Sequence, residues 1–369
     1  MRLKIIFSIV ILTCIEGSAD MDAQVLRDSA AFRIIKECVD DIYNLDLRSA
    51  RNLCERINRK YPGHPGVYLL DGLIRYWENY PLLPGTEPAS LFEKDLRKSI
   101  QLGELKHNPE DAAEYLLIDL CARGLLLLFF SDNNVTSEVY PLAMSTYPYL
   151  RRAFASTKEY YDFYFFTGLY NYYREAYPEA HPVYKALAFL FPKGNKEEGL
   201  RELQMAGDKS LVLNAESYSF LTWIYNNFEH NYLLATYTSR KLSALYPDNV
   251  YFLATYIRNL LLSKNYDEAE KLIHDEGEKH RYSFFKAETE VFRGIIQEKK
   301  FHNSDEAKRH YEKGIMDLTP FCSYGNECTA YAYFGLSRIS ESKGDYALKK
   351  SYHKQAAGLT ASGEDDFSK

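Results

Sequence analysis

The chain has 369 residues, of which 46% are hydrophobic and 26% charged, and it carries 32 tyrosines, 21 phenylalanines and a formal net charge of −6. A mildly acidic sequence without a block of five or more Lys/Arg residues lacks the electrostatic footprint that a phosphate backbone requires, which argues against nucleic acid as a partner. The length allows either a sizeable buried core or one extended array.

Arg2 and Lys4 precede an apolar run from Ile5 to Ile15 and the small residues Gly17-Ser18-Ala19, the pattern of a cleaved signal peptide over residues 1–19. The run is 11 residues, short of the roughly 20 that span a bilayer as a helix. An exported chain, periplasmic or secreted, is therefore expected. Cys14 follows Leu12-Thr13, a poor lipobox, so lipid anchoring there is not expected. Cleavage would remove Arg2, Lys4 and Glu16 and take the net charge from −6 to −7. It would leave Cys38, Cys54, Cys121, Cys322 and Cys328 in a compartment where disulfides can form. Cys322 and Cys328 flank a Gly325-Asn326 turn and are the candidate disulfide, the alternative being two separate helix-end thiols. Cys38 and Cys54 fall on two facing helices, where plain packing is expected. No Cys/His quartet suggests a metal site.

The mature chain reads as helices separated by Pro, Gly and Asn, without the period-two alternation of a sheet. Expected helices run from about Val25 to Tyr43, Leu47 to Tyr61, Gly66 to Asn79 and, after a Pro/Gly-rich insertion at 80–88, Ser90 to Leu105. An irregular section over 106–214 follows, with helices near Pro109–Phe130, Ser137–Ala155, Tyr160–Tyr177, His181–Phe191 and Lys196–Ala206. From 215 to 359 the spacing is more regular: Ala215–Phe228, Tyr232–Tyr246, Val250–Ser263, Tyr266–Glu278, Ser283–Lys299, Ser304–Leu318, Cys328–Lys343 and Tyr346–Leu359. Residues 360–369 are polar and expected to be disordered.

An internal echo organises these elements. Asn231-Tyr232-Leu233-Leu234-Ala235 returns 34 residues later as Asn265-Tyr266-Asp267-Glu268-Ala269, and Gly344-Asp345-Tyr346-Ala347 is a third version. A fixed period of this size means stacked supersecondary units that cannot bury their apolar faces alone. These residues resemble the tetratricopeptide repeat. Counting from Glu216 places Ala235 and Pro247 at the family's small-residue and proline positions, and counting from Val250 places Ala269 there. Counting from Cys328 gives Tyr331, Gly335 and Ala347; from Tyr161, Tyr164 and Gly168; and from Ala31, Ala50 and Pro62. Trp223 and Ile257 depart from the family's glycine position. The resemblance implies an all-α fold, a right-handed α-solenoid of helix pairs, seven or eight in number.

It also implies a ligand on the concave face of the first helix of each pair. Carried onto this chain, the candidate binding residues are Phe165, Tyr172, Tyr173, Phe220, Asn227, Tyr251 and Arg258, with Leu169 and Phe228 beside them. Aromatic rings there could stack on peptide side chains or sugar rings, although aromatic stripes at helical spacing usually pack repeat interfaces. No nucleophile motif or phosphate loop is present, and histidines such as His230, His274 and His310 have no catalytic partner in sequence. The expectation is a non-enzymatic scaffold that binds a protein or peptide without cofactor or metal. The alternative is a surface glycan- or nutrient-binding helical-repeat protein. An enzyme housed in residues 105–160 is a further rival, which concave carboxylates of raised pKa would favour.

Overall fold

The computed structural model describes residues 25–26, 28–105, 111–180, 182, 185, 189–277, 279–280, 282–360 and 363–368. The expected signal peptide lies outside the described residues, as does most of the helix expected near 181–191. The described residues form an all-α solenoid without strands. Its helices are α1 (Ser29–Tyr43), α2 (Leu47–Lys60), α3 (Pro65–Glu78), α4 (Glu87–Gly103), α5 (Ala112–Asp132), α6 (Thr136–Ser156), α7 (Phe163–Ala180) and α8 (Lys196–Lys209). They continue with α9 (Asn214–Asn227), α10 (Tyr232–Leu245), α11 (Val250–Leu262), α12 (Tyr266–Glu276), α13 (Ser283–Lys299), α14 (Ser304–Leu318), α15 (Asn326–Ser342) and α16 (Tyr346–Ala357). A 3₁₀ segment, Thr319–Gly325, joins α14 to α15. Each odd-numbered helix packs on its successor to form a hairpin, eight among the described residues.

The echo has a local physical cause. In six hairpins the residue closing the first helix is left-handed: Leu45, Asn134, His230, Lys264, His302 and Gly344 all have positive φ. The next residue starts the second helix, and Asp46, Asn231, Asn303 and Asp345 accept backbone N–H groups there as N-caps. Bonds such as Asp46 N to Asp41 O and Asn265 N to Leu260 O complete a helix-ending motif that satisfies exposed carbonyls. Only Gly344 adopts this geometry without a side-chain penalty. Lys264→Gly is expected to stabilise the chain by about 0.5–1 kcal/mol, raising the thermal midpoint in calorimetry.

Small residues act where the repeat needs them. Ala50, Ala235, Ala269 and Ala307 are fully buried. A Cβ on Gly168 of α7 would lie 2.9 Å from Leu203 Cγ and 3.0 Å from the Gly199 carbonyl oxygen of α8. Ala347 differs: it lies two residues after the cap Asp345 rather than four, a place that is exposed in the other hairpins too (Leu233, Asp267, Asp305), and Lys349 stands where they have the buried alanine. Asp162, fully buried, accepts the N–H groups of Leu211, Val212 and Leu213 at 2.9–3.2 Å, joining the start of α7 to the entry of α9.

Two features depart from a simple linear array. The segment expected to be disordered instead docks at 363–368. Phe367 packs edge-on against Tyr331 with ring centroids 5.2 Å apart, Asp365 pairs with Arg338 at 2.5 Å, and Asp366 accepts from the Tyr232 hydroxyl at 2.8 Å. The second departure is a seam where early hairpins rest on late ones, 171 to 242 residues away in sequence. The Tyr43 carbonyl accepts from Asn249 Nδ2 at 2.8 Å, and the Tyr80 carbonyl accepts from the Tyr251 hydroxyl at 3.0 Å. The Leu82 carbonyl accepts from the Tyr324 hydroxyl at 3.3 Å. Trp77 lies at the centre, stacked on Tyr80 at 5.3 Å and edge-on to Phe252 at 5.3 Å and Tyr43 at 5.8 Å. The Pro/Gly-rich insertion thus supplies seam residues.

Candidate functional site

The seven candidate residues divide between two places. Phe165, Tyr172 and Tyr173 lie on α7, and Phe220 and Asn227 on α9, the first helices of the fourth and fifth hairpins. Phe165 is buried and meets the half-buried Phe220 edge-on at 5.5 Å. Tyr172 is fully buried, with its hydroxyl donating to Glu229 at 2.5 Å. Tyr173 is half-buried and edge-on to Phe228 at 5.4 Å, and burial pushes its phenol well above the ordinary range. Asn227 is exposed, its amide donating to the Trp223 carbonyl at 3.0 Å.

Tyr251 and Arg258 form the second group, on α11. Tyr251 is buried in the seam. Arg258 pairs with Glu327 of α15, while its Nε is buried without a hydrogen-bond partner. The Tyr331 hydroxyl donates to the same Glu327 at 2.8 Å. Nearby Glu288 has its carboxyl pushed up to about 8, chiefly by burial, and Cys328 Sγ lies 3.7 Å from it. Cys322 and Cys328 are separate thiols, the first exposed and the second buried beside Glu288. Cys38 and Cys54 are buried thiols pointing to the carbonyls of Ala50 and Val67.

One stripe of α9 stays open. Glu216, Phe220, Trp223 and Asn227 recur at three- or four-residue steps and so share a face. Glu216 accepts from the Tyr43 hydroxyl and Phe220 rests on Phe165, but Trp223 is 47% exposed and Asn227 is exposed beside it. In sequence, Trp223 is the large residue that departs from the glycine expected from the tetratricopeptide resemblance. A separate shallow depression of about 400 Å³ is lined by Glu229, His230, Tyr232, Ser263 and Lys264 at the turns of two hairpins.

Carboxylates of raised pKa do occur. In the irregular section, Asp119 is raised by burial but pairs with the buried Arg123 at 2.9 Å, and Asp132 is pushed to about 7 by burial beside Tyr76, Tyr80 and Tyr324. No second carboxylate lies within hydrogen-bonding distance of Asp132 among the described residues. The described residues include no group of three or more His, Cys, Asp or Glu that could hold a metal ion, and no helix among them is long and apolar enough to cross a membrane. No family model matches the chain, and no curated protein matches it.

Proposed function

We propose that the chain is an exported, non-enzymatic tetratricopeptide-like adaptor that holds a protein or peptide against the inner face of its hairpins. The observation that supports this reading is the stripe on α9, where Trp223 and Asn227 offer a large ring and an amide to solvent next to Phe220. A partly exposed tryptophan beside a hydrogen-bonding amide suits an extended segment, since the ring takes an apolar side chain and the amide a backbone group. Tyr172, Tyr251 and Arg258 serve this reading indirectly: each is committed to a partner within the chain, so they set the shape of the face. Raised carboxylates bear on the enzymatic rival, but Asp119 is committed to Arg123 and Asp132 stands among the phenols of Tyr76, Tyr80 and Tyr324.

The chain without residues 1–19 should retain members of a random-peptide array, and Trp223→Ala should weaken the retained peptides by at least tenfold, since a buried aromatic anchor contributes about 2 kcal/mol or more. Retention of oligosaccharides from a glycan array with no peptide retained would replace this reading with the sugar-binding one. Peptides bound equally by Trp223→Ala would move the site off α9.

A further inference from the structure

Three carboxyl groups lie along the seam without a lysine or arginine of their own. Glu216, at the start of α9, accepts from Tyr43 of α1 through one oxygen, while its other oxygen is buried without a partner. Besides Tyr43, it is faced by Tyr246 at the end of α10, and Tyr246 in turn lies near Asp40 of α1. Glu288 of α13 is faced by Tyr80 from the early side and by Tyr251, Arg258, Glu327 and Cys328 from the late side. Arg258 is already paired with Glu327, whose charge opposes its attraction for Glu288. Asp132, at the end of α5, is faced by Tyr76 and Tyr80 of the second hairpin and by Tyr324 of the 3₁₀ segment. All three acids stand where early and late hairpins meet.

We propose that the seam is a proton-operated latch: the early hairpins stay seated on the late ones while Glu216, Glu288 and Asp132 hold their protons, and they part when those protons leave. Burial between the two sets of hairpins disfavours the charged forms. It pushes Glu216 and Glu288 to about 8 and Asp132 to about 7. With the hairpins apart the same groups return to water and to ordinary values near 4. The seated state therefore binds more protons than the parted one. Each carboxyl raises the parted-to-seated ratio by on the order of tenfold per pH unit, from about pH 4 up to its seated value, and adds nothing above it. Between pH 6 and 8 the two glutamates act together, so the change there is steep.

The chain supplies its own reporter. It has two tryptophans, Trp77 in the seam and Trp223 on the surface. In the full chain carrying Trp223→Phe, emission should shift to the red and the radius of gyration from small-angle scattering should grow as pH rises from 6 to 9, with far-UV dichroism unchanged. Glu216→Gln with Glu288→Gln should flatten both changes above pH 7, because glutamine mimics the protonated acid, and each single variant should leave about half the steepness. The latch is refuted by emission and radius that do not move between pH 6 and 9. It is equally refuted if the double variant responds as the parent does, or if the red shift comes with loss of helical signal.

Discussion

Gly199→Val should destabilise the chain by about 3 kcal/mol, the upper end for forcing extra volume into a packed interior. The fourth hairpin is held by two glycines facing each other across α7 and α8. A Cβ on Gly199 would lie 2.6 Å from the Tyr172 amide nitrogen and 2.7 Å from the Gly168 carbonyl oxygen, and neither backbone group can swing aside. The hairpin would have to open, exposing Leu203 and Tyr172, both fully buried. A lower urea midpoint at unchanged slope would show the loss. Gly124→Ala is the control: its nearest neighbour, Phe166 Cε1, is 3.9 Å away, so alanine's better helix propensity should make it neutral or mildly stabilising. Equal losses from the two substitutions would contradict this account of the hairpin.

Arg338→Ala should be more damaging, by about 4 kcal/mol at neutral pH, because it strands buried charge. Arg338 Nε and Nη2 grip Glu298 at 2.7 and 2.8 Å, and Nη1 reaches Asp365 at 2.5 Å. The Tyr311 hydroxyl donates to the same Glu298 at 2.7 Å. Burial alone would raise the Glu298 carboxyl, but Arg338 and Tyr311 overcome it and hold the group below its ordinary value. That contribution is present above the unfolded value near 4.3 and is lost as pH falls through the lower folded value. Without Arg338 the carboxyl can escape its burial only by taking a proton. The deficit of the variant should therefore be largest near pH 7 and narrow towards pH 4. Arg338→Met, which fills the volume, should also strand Glu298; a loss as small as for an exposed pair would show that the network contributes little.

The repeat was legible because its cause is local. A left-handed closing residue, a capping Asn and an alanine four positions later all sit within one short window, so Asn231 announces its turn in sequence. Gly168 was legible for the same reason, as the position where two helices must approach. Ala347 is not the counterpart of Ala235, because α15 runs longer than the repeat count allows and shifts the cap to Asp345, two residues before the alanine instead of four. The seam left no such trace. Tyr80 and Tyr251 carry no mark of each other across 171 residues, and a Pro/Gly-rich insertion looks the same in sequence whether it decorates a surface or joins two turns of the solenoid. The docked segment near Phe367 was hidden by its polar composition, since one phenylalanine and two aspartates find their partners only after α13 and α15 have assembled. Among the candidate site residues, the sequence placed Phe220 and Asn227 on one face but could not tell that Tyr172 is satisfied by Glu229, a contact fixed by the packing of three helices. It likewise gave no reason to single out Glu216, Glu288 or Asp132.

Helical-repeat genes commonly gain and lose whole units, because each unit of a linear stack sees only its neighbours. The contact of Tyr43 with Asn249, and of Tyr80 with Tyr251, removes that freedom over the first six hairpins. Duplicating or deleting a unit between them would carry Trp77 past Phe252 and leave both aromatic faces in water. Unit number between the two sides of the seam is therefore as constrained as a side chain in a core, whereas beyond the seventh hairpin copies could be added at the α16 side without disturbing it.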